Sequence, residues 1–224
     1  MLDRKKRYLQ IALNSTLDEA QDIIRQLPPS DRILIEAGTP LVKRYGTEAI
    51  TRLRQWWAMK LYTTGINPYI VADLKTMDRG ETEVAIARDA GASGVIALGQ
   101  APVETLNAFI AASKKFQLDS MVDLMNVDQP IKILRKLEKL PDVVILHRGV
   151  DEETYNKDKP IPYIQINKVR ASYIVLISIA GGDTIREVQR AVFNDANIVV
   201  VWKEFFQASS DTGKLAEEFL RVIK

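Results

Sequence analysis

Tyr69-Ile70-Val71-Ala72-Asp73-Leu74-Lys75-Thr76-Met77-Asp78 is the stretch on which the fold turns. Four apolar or aromatic residues open it, as in a buried strand. An acid, a base and a second acid follow, spaced Asp73-x-Lys75-x-x-Asp78. Residues two apart on a strand share a face, so Asp73 and Lys75 are expected to point together off the carboxyl end of the strand. Asp78 falls just beyond, where Arg79-Gly80 begins a turn. Charges at the end of a buried strand carry a desolvation cost that must be offset. The cluster is therefore a site candidate, with a strand-end salt bridge as the structural alternative.

Working outward, apolar runs and amphipathic stretches alternate along the whole chain. Strands are expected at Tyr8–Leu13, Arg32–Glu36, Tyr69–Lys75, Gly94–Gly99, Asp119–Met125, Val143–His147, Tyr173–Ala180 and Asn197–Lys203. Helical stretches fall between and after them, at Leu17–Leu27, Gly46–Tyr62, Glu81–Ala90, Pro102–Phe116, Pro130–Leu140, Thr184–Phe193 and Thr212–Ile223. Gly38-Thr39-Pro40 is expected as a turn. Strands rich in Val and Ile on both faces indicate a parallel sheet. Eight strand–helix units at a spacing of roughly 25 residues close naturally into a (β/α)8 TIM barrel. One such α/β domain is expected over residues 1–224. An open doubly wound sheet is the alternative, but no G-x-G-x-x-G follows the first strand. Asp151 to Arg170, with Glu152, Glu153, Lys157, Asp158 and Lys159 beside Pro160 and Pro162, reads as a polar surface connection rather than a loop over the site.

A barrel concentrates its chemistry at the carboxyl ends of its strands. Asn14, Glu36, Asp73 with Lys75, Asp123, His147, Gly181-Gly182 and Lys203 end or follow seven of the eight strands. Glu36 and Asp73 are carboxylates on adjacent strands, and two close acids repel unless a cation lies between them. Lys75 could neutralise one, or Mg2+ could bridge both, because hard cations take carboxylate oxygens together with water and substrate oxygens. Glycines at 181 and 182 would let backbone amides approach an anion, with Lys203 adding positive charge.

Composition narrows the partners. With 31 basic and 29 acidic residues the net charge is +2, which implies no broad field for nucleic acid or membrane. The apolar fraction of 46% suits a globular core, and no run approaches the length of a membrane span. The absence of cysteine excludes disulfides and thiolate metal sites and fits a reducing compartment. A cytoplasmic enzyme is expected. His147 is the only histidine, so any imidazole chemistry passes through it.

These residues resemble the orotidine-monophosphate-decarboxylase suprafamily, whose Asp-x-Lys-x-x-Asp signature is matched by Asp73, Lys75 and Asp78. Within it the chain looks like the 3-hexulose-6-phosphate synthases, including the archaeal form fused to a formaldehyde-activating enzyme, and like the related 3-keto-gulonate-6-phosphate decarboxylases. The likeness rests on Ile35-Glu36-Ala37-Gly38-Thr39-Pro40, Val71–Asp78, Ala101-Pro102-Val103-Glu104-Thr105-Leu106, Asp119-Ser120-Met121-Val122-Asp123, His147-Arg148-Gly149-Val150-Asp151 and Ala180-Gly181-Gly182. Asp123, Val150 and Ala180 stand where the decarboxylases tend to have Glu, Arg and Thr, which favours the synthase side.

The resemblance implies a Mg2+-dependent aldolase that interconverts ribulose 5-phosphate plus formaldehyde with 3-hexulose 6-phosphate. It implies Glu36 and Asp73 as metal ligands, Lys75 stabilising an enediolate and His147 moving the proton. It implies that Asp78 enters the neighbouring subunit's site in a homodimer. Asn14, Asp123, Gly181, Gly182 and Lys203 complete the expected substrate contacts. The chain departs from the family pattern twice. Asn14 replaces the Asp that usually ends the first strand, and Trp202-Lys203-Glu204 replaces the Gly-Arg that usually holds phosphate after the eighth. A decarboxylase and a non-catalytic barrel with an altered anion site are the alternatives.

Overall fold

In a computed structural model, which describes residues 1–156, 158–205 and 211–224, eight parallel strands close into a barrel in chain order. The strands are β1 (Tyr8–Leu13), β2 (Ile33–Ala37), β3 (Ile70–Thr76), β4 (Gly94–Leu98), β5 (Asp119–Asp123), β6 (Val143–His147), β7 (Leu176–Ala180) and β8 (Ile198–Val201). β1 pairs with both β2 and β8, so no edge is left open. Helices α1 (Leu17–Gln26), α2 (Thr39–Tyr45), α3 (Thr47–Leu61), α4 (Gly80–Asp89), α5 (Val103–Lys115), α6 (Pro130–Leu134), α7 (Val150–Tyr155), α8 (Tyr163–Ser172), α9 (Ile185–Phe193) and α10 (Thr212–Val222) connect the strands.

The period of two along each strand separates two cores. Leu9, Ile11, Ile33, Ile35, Val122, Val144, Ile177 and Val199 face outward and pack beneath the helices. Tyr8, Leu34, Val71, Met121, Val143, Leu176 and Ile198 fill the barrel interior. Two residues further along the same inner faces, the side chains become polar: Gln10 above Tyr8, Glu36 above Leu34, Asp73 above Val71, Asp123 above Met121. All four are buried. Above that apolar layer the interior is thus ionic toward its carboxyl end.

Three sequence expectations are corrected. Gly38-Thr39-Pro40 is not a free-standing turn: Thr39 begins α2 with Pro40 in its first turn, where a missing N–H costs nothing because that donor has no intrahelical partner. Asp151 to Arg170 is not one irregular connection, since α7 and α8 occupy most of it and Pro160 and Pro162 separate them. Lys157, part of that expected connection, lies outside the described residues. α6 is also shorter than expected and stops at Leu134.

Candidate active site

The carboxyl ends of the strands enclose a cavity of about 450 Å³, whose lining includes Glu36, Asp73, Lys75, Asp123, His147 and Arg148. Asp73 and Lys75 meet as expected, with Lys75 Nζ 2.8 Å from Asp73 Oδ2. Simple strand alternation is not the cause. Ala72 pairs with Val95 but Thr76 pairs with Ala97, so β3 bulges against β4 between them. Lys75 sits in that bulge with φ 45°, a left-handed conformation that is costly for a side chain with a Cβ. A bulge at a barrel rim re-aims a side chain, and here it turns the ammonium back over the cavity.

Lys75 Nζ also donates to Asp123 Oδ2 at 3.0 Å, and His147 Nδ1 lies 2.8 Å from the same oxygen. One buried carboxylate therefore holds both the ammonium and the imidazole. Its other oxygen accepts from the Met125 amide at 2.9 Å. Burial pushes the Asp123 pKa up, but the His147 and Lys75 charges outweigh it and bring the value down to about 2. Burial lowers the His147 pKa, and the Asp123 charge and hydrogen bond reverse that to a net rise. Lys75 follows the same logic: burial opposes its charge, Asp73 and Asp123 restore it, and its pKa ends well above the ordinary lysine range. Bonding through Nδ1 leaves His147 Nε2 as the ring nitrogen available to a substrate.

Glu36 behaves in the opposite way. Burial and then the negative charge of Asp73 raise its pKa to about 7, against a hydrogen bond from Gln10 Nε2 at 2.5 Å. Asp73 Oδ2 accepts from Thr39 Oγ1 at 2.8 Å, while Asp73 Oδ1 is buried and has no hydrogen-bond partner among the described residues. Two hard oxygen donors that strain against each other, one of them unpartnered, fit a divalent cation completed by water and substrate oxygens. Among the described residues no three His, Cys, Asp or Glu side chains cluster to hold a metal. Mg2+ commonly needs only one or two carboxylates from the protein, so the pair suffices.

The remaining expected residues divide. Asn14 and Gly181 line the cavity. Gly181 has φ +95°, and a Cβ there would collide with the Arg148 carbonyl oxygen, so the position requires glycine. Gly182 is not among the cavity-lining residues, and a Cβ on it would press on Ile161 and Glu187. Lys203 is not among them either: its ammonium pairs with Glu153. Asp78 is exposed, outside the cavity of its own chain.

Sequence reading assigned no role to Gln10, Thr39, Arg148 or Asp183. Gln10 was detectable as a lone amide in an otherwise apolar strand. Arg148 directly follows His147 at a strand end. It donates to the Gly181 carbonyl at 2.6 Å, while its buried Nε has no partner among the described residues. Thr39 and Asp183 carry no comparable signal, because only the packed loops bring them to the rim.

Several known proteins are similar to this chain along most of its length. The bifunctional enzyme Fae/Hps of Archaeoglobus fulgidus is 38% identical over 212 residues, covering 92% of this chain and 50% of that protein. Its counterpart in Methanocella arvoryzae is 35% identical over 219 residues, covering 97% of this chain and 53% of that protein. The chain spans about half the length of the curated relatives it matches. The crystal structure of 3-hexulose-6-phosphate synthase from Salmonella typhimurium superposes with a TM-score of 0.83 at 27% identity, covering 96% of this chain and 98% of that one. The crystal structure of KGPDC from Streptococcus mutans, at 19% identity and a TM-score of 0.74 over 98% of this chain and 100% of that one, shares the fold. Residues 7–201 match the family described as Orotidine 5'-phosphate decarboxylase / HUMPS, and the chain belongs to that family.

Proposed function

We propose that the chain is a carbon–carbon lyase of the aldehyde-lyase type, which interconverts ribulose 5-phosphate plus formaldehyde with 3-hexulose 6-phosphate through an enediolate. The observation that carries the reading is the shared Asp123 carboxylate, which holds a base and a fixed cation side by side over the cavity. The likeness to a 3-hexulose-6-phosphate synthase and to the archaeal bifunctional enzymes Fae/Hps supports it.

In the condensing direction His147 Nε2 removes the proton from the carbon beside the ketone. The resulting imidazolium is stabilised by Asp123, which accepts from Nδ1 throughout. The Lys75 ammonium supplies fixed positive potential to the developing enediolate and requires no reorganisation, because Asp73 and Asp123 already hold it. The enediolate carbon bonds to the formaldehyde carbon, and the new alkoxide takes back the proton carried by His147. Cleavage runs the same steps in reverse and releases formaldehyde. Glu36 and Asp73 would hold Mg2+, which when bound acts as a Lewis acid toward the oxygens that gain charge. Asp78, exposed on its own chain, completes the site of a second copy in a homodimer.

The test is formaldehyde consumption by the purified chain with ribulose 5-phosphate and Mg2+, alongside carbon dioxide release from 3-keto-gulonate 6-phosphate. Consumption without carbon dioxide release is the expected result. Carbon dioxide release without formaldehyde consumption would overturn the assignment in favour of a decarboxylase.

A further inference from the structure

Between β7 and β8 the rim carries a pair of backbone amides aimed at one point. The N–H groups of Trp202 and Lys203 both donate to Asp183 Oδ1, at 2.7 and 3.1 Å. Adjacent amides converging on one oxygen form an anion notch, and the corresponding place in many barrels receives a phosphate. In this chain the notch is already filled by a carboxylate of the chain itself.

The surroundings make the notch less hospitable still. Arg148, the nearest cavity-lining guanidinium, has Glu153 at 3.5 Å and Glu187 at 3.9 Å. The Lys203 ammonium pairs with Glu153. Two positive side chains thus stand among three acids, Glu153, Asp183 and Glu187. Asp183 lines the same cavity as Lys75 and His147, so any ligand long enough to leave the reacting centre toward this rim meets its carboxylate.

We propose that Asp183 is a specificity-determining residue: an internal anion that occupies the amides of Trp202 and Lys203, so that a phosphorylated ligand binds at this rim only by displacing it. The proposal rests on the aldolase reading, in which the substrate carries a phosphate at the end remote from the reacting carbons. It sets Asp183 against binding and not against chemistry. The side chain raises KM for a phosphorylated ketose, leaves kcat alone, and leaves an unphosphorylated ketose indifferent.

The experiment compares the wild-type chain with Asp183→Asn and Asp183→Ala. Asn keeps an oxygen that can accept from both amides while losing the charge, and Ala vacates the notch. Inorganic phosphate is titrated calorimetrically into each protein, and KM and kcat are measured separately for ribulose 5-phosphate and for ribulose. Removing a like charge at hydrogen-bonding range is expected to tighten phosphate and lower KM for ribulose 5-phosphate by about tenfold or more, in the order wild type, Asn, Ala. kcat is expected to stay within about threefold and KM for ribulose to stay unchanged. Phosphate binding that weakens or stays the same in both variants would overturn the proposal. Should Asp183→Ala not fold, Asp183→Asn decides alone. If no form turns over ribulose 5-phosphate, the aldolase reading fails, while the phosphate titration still decides the role of Asp183.

Discussion

The barrel carries buried acids at both ends, and they are treated in opposite ways. At the amino end, Asp119 accepts from the Tyr69 hydroxyl at 2.6 Å and the Leu2 amide at 2.9 Å, with the terminal ammonium 4.0 Å away. Asp142 beside it, half-buried, accepts from the Ser120 amide and hydroxyl at 2.9 and 2.8 Å. These oxygens tie the chain's start and three strand entrances together. At the carboxyl end, Asp73 keeps a buried oxygen without a partner among the described residues, and Glu36 is destabilised as an anion by burial and by Asp73. A saturated acid can only hold structure. An unsaturated one beside a cavity retains binding capacity for something that arrives.

Five measurements can break or sharpen that contrast. The largest effect is expected from His147→Ala, which should lower turnover by about 10² to 10⁴ while ligand affinity changes little. Turnover near wild type would remove His147 from the proton transfer. Next is Glu36→Gln, which should weaken Mg2+ binding, read as the rise in Tm on adding the ion, by about tenfold or more. The pH dependence has a defined sign. Because the folded-state pKa of Glu36 lies near 7 instead of 4.5, the folded protein holds this proton more tightly than the unfolded chain. Without metal, stability therefore falls as pH rises from 4.5 to about 7, and Mg2+ affinity rises over the same window as the carboxylate is freed. An Mg2+ affinity that is flat across this range would count against Glu36 as a ligand.

At the opposite end Asp119→Ala should leave kcat unchanged but cost about 2 kcal/mol of stability in urea unfolding, since the Tyr69 hydroxyl and Leu2 amide lose their acceptor. A catalytic defect there would erase the distinction between the two ends. The smallest effect is a shift in a pH profile. The net rise of the His147 pKa places the acid limb of kcat/KM above 6.5 in the wild type. Asp123→Asn removes the charge that raises it and should move the limb to lower pH. A limb that stays in place would mean that another group sets it.

The barrel was legible from end to end because strand period, helix amphipathicity and chain order are local properties that leave a regular trace. The acids and His147 were legible too, since each ends an apolar run. Lys75 shows where that logic succeeds for another reason: alternation predicts the meeting with Asp73, but a bulge and a left-handed residue achieve it. Lys203 shows where it stops. A lysine after β8 reads as an anion ligand, yet its ammonium turns to Glu153 on α7. α7 itself was read as part of a surface connection.

The amino-acid sequence by itself determined the parallel closed barrel, the rim on which the ionisable residues gather, and the identity of the one imidazole. Only the tertiary structure decided which of those groups share a proton and a charge, and that Asp183 fills the notch beside β8. The reason is physical. Burial patterns repeat along the chain at fixed periods, whereas the partner of a charged side chain is whatever oxygen or nitrogen the closing loops bring within about 3 Å.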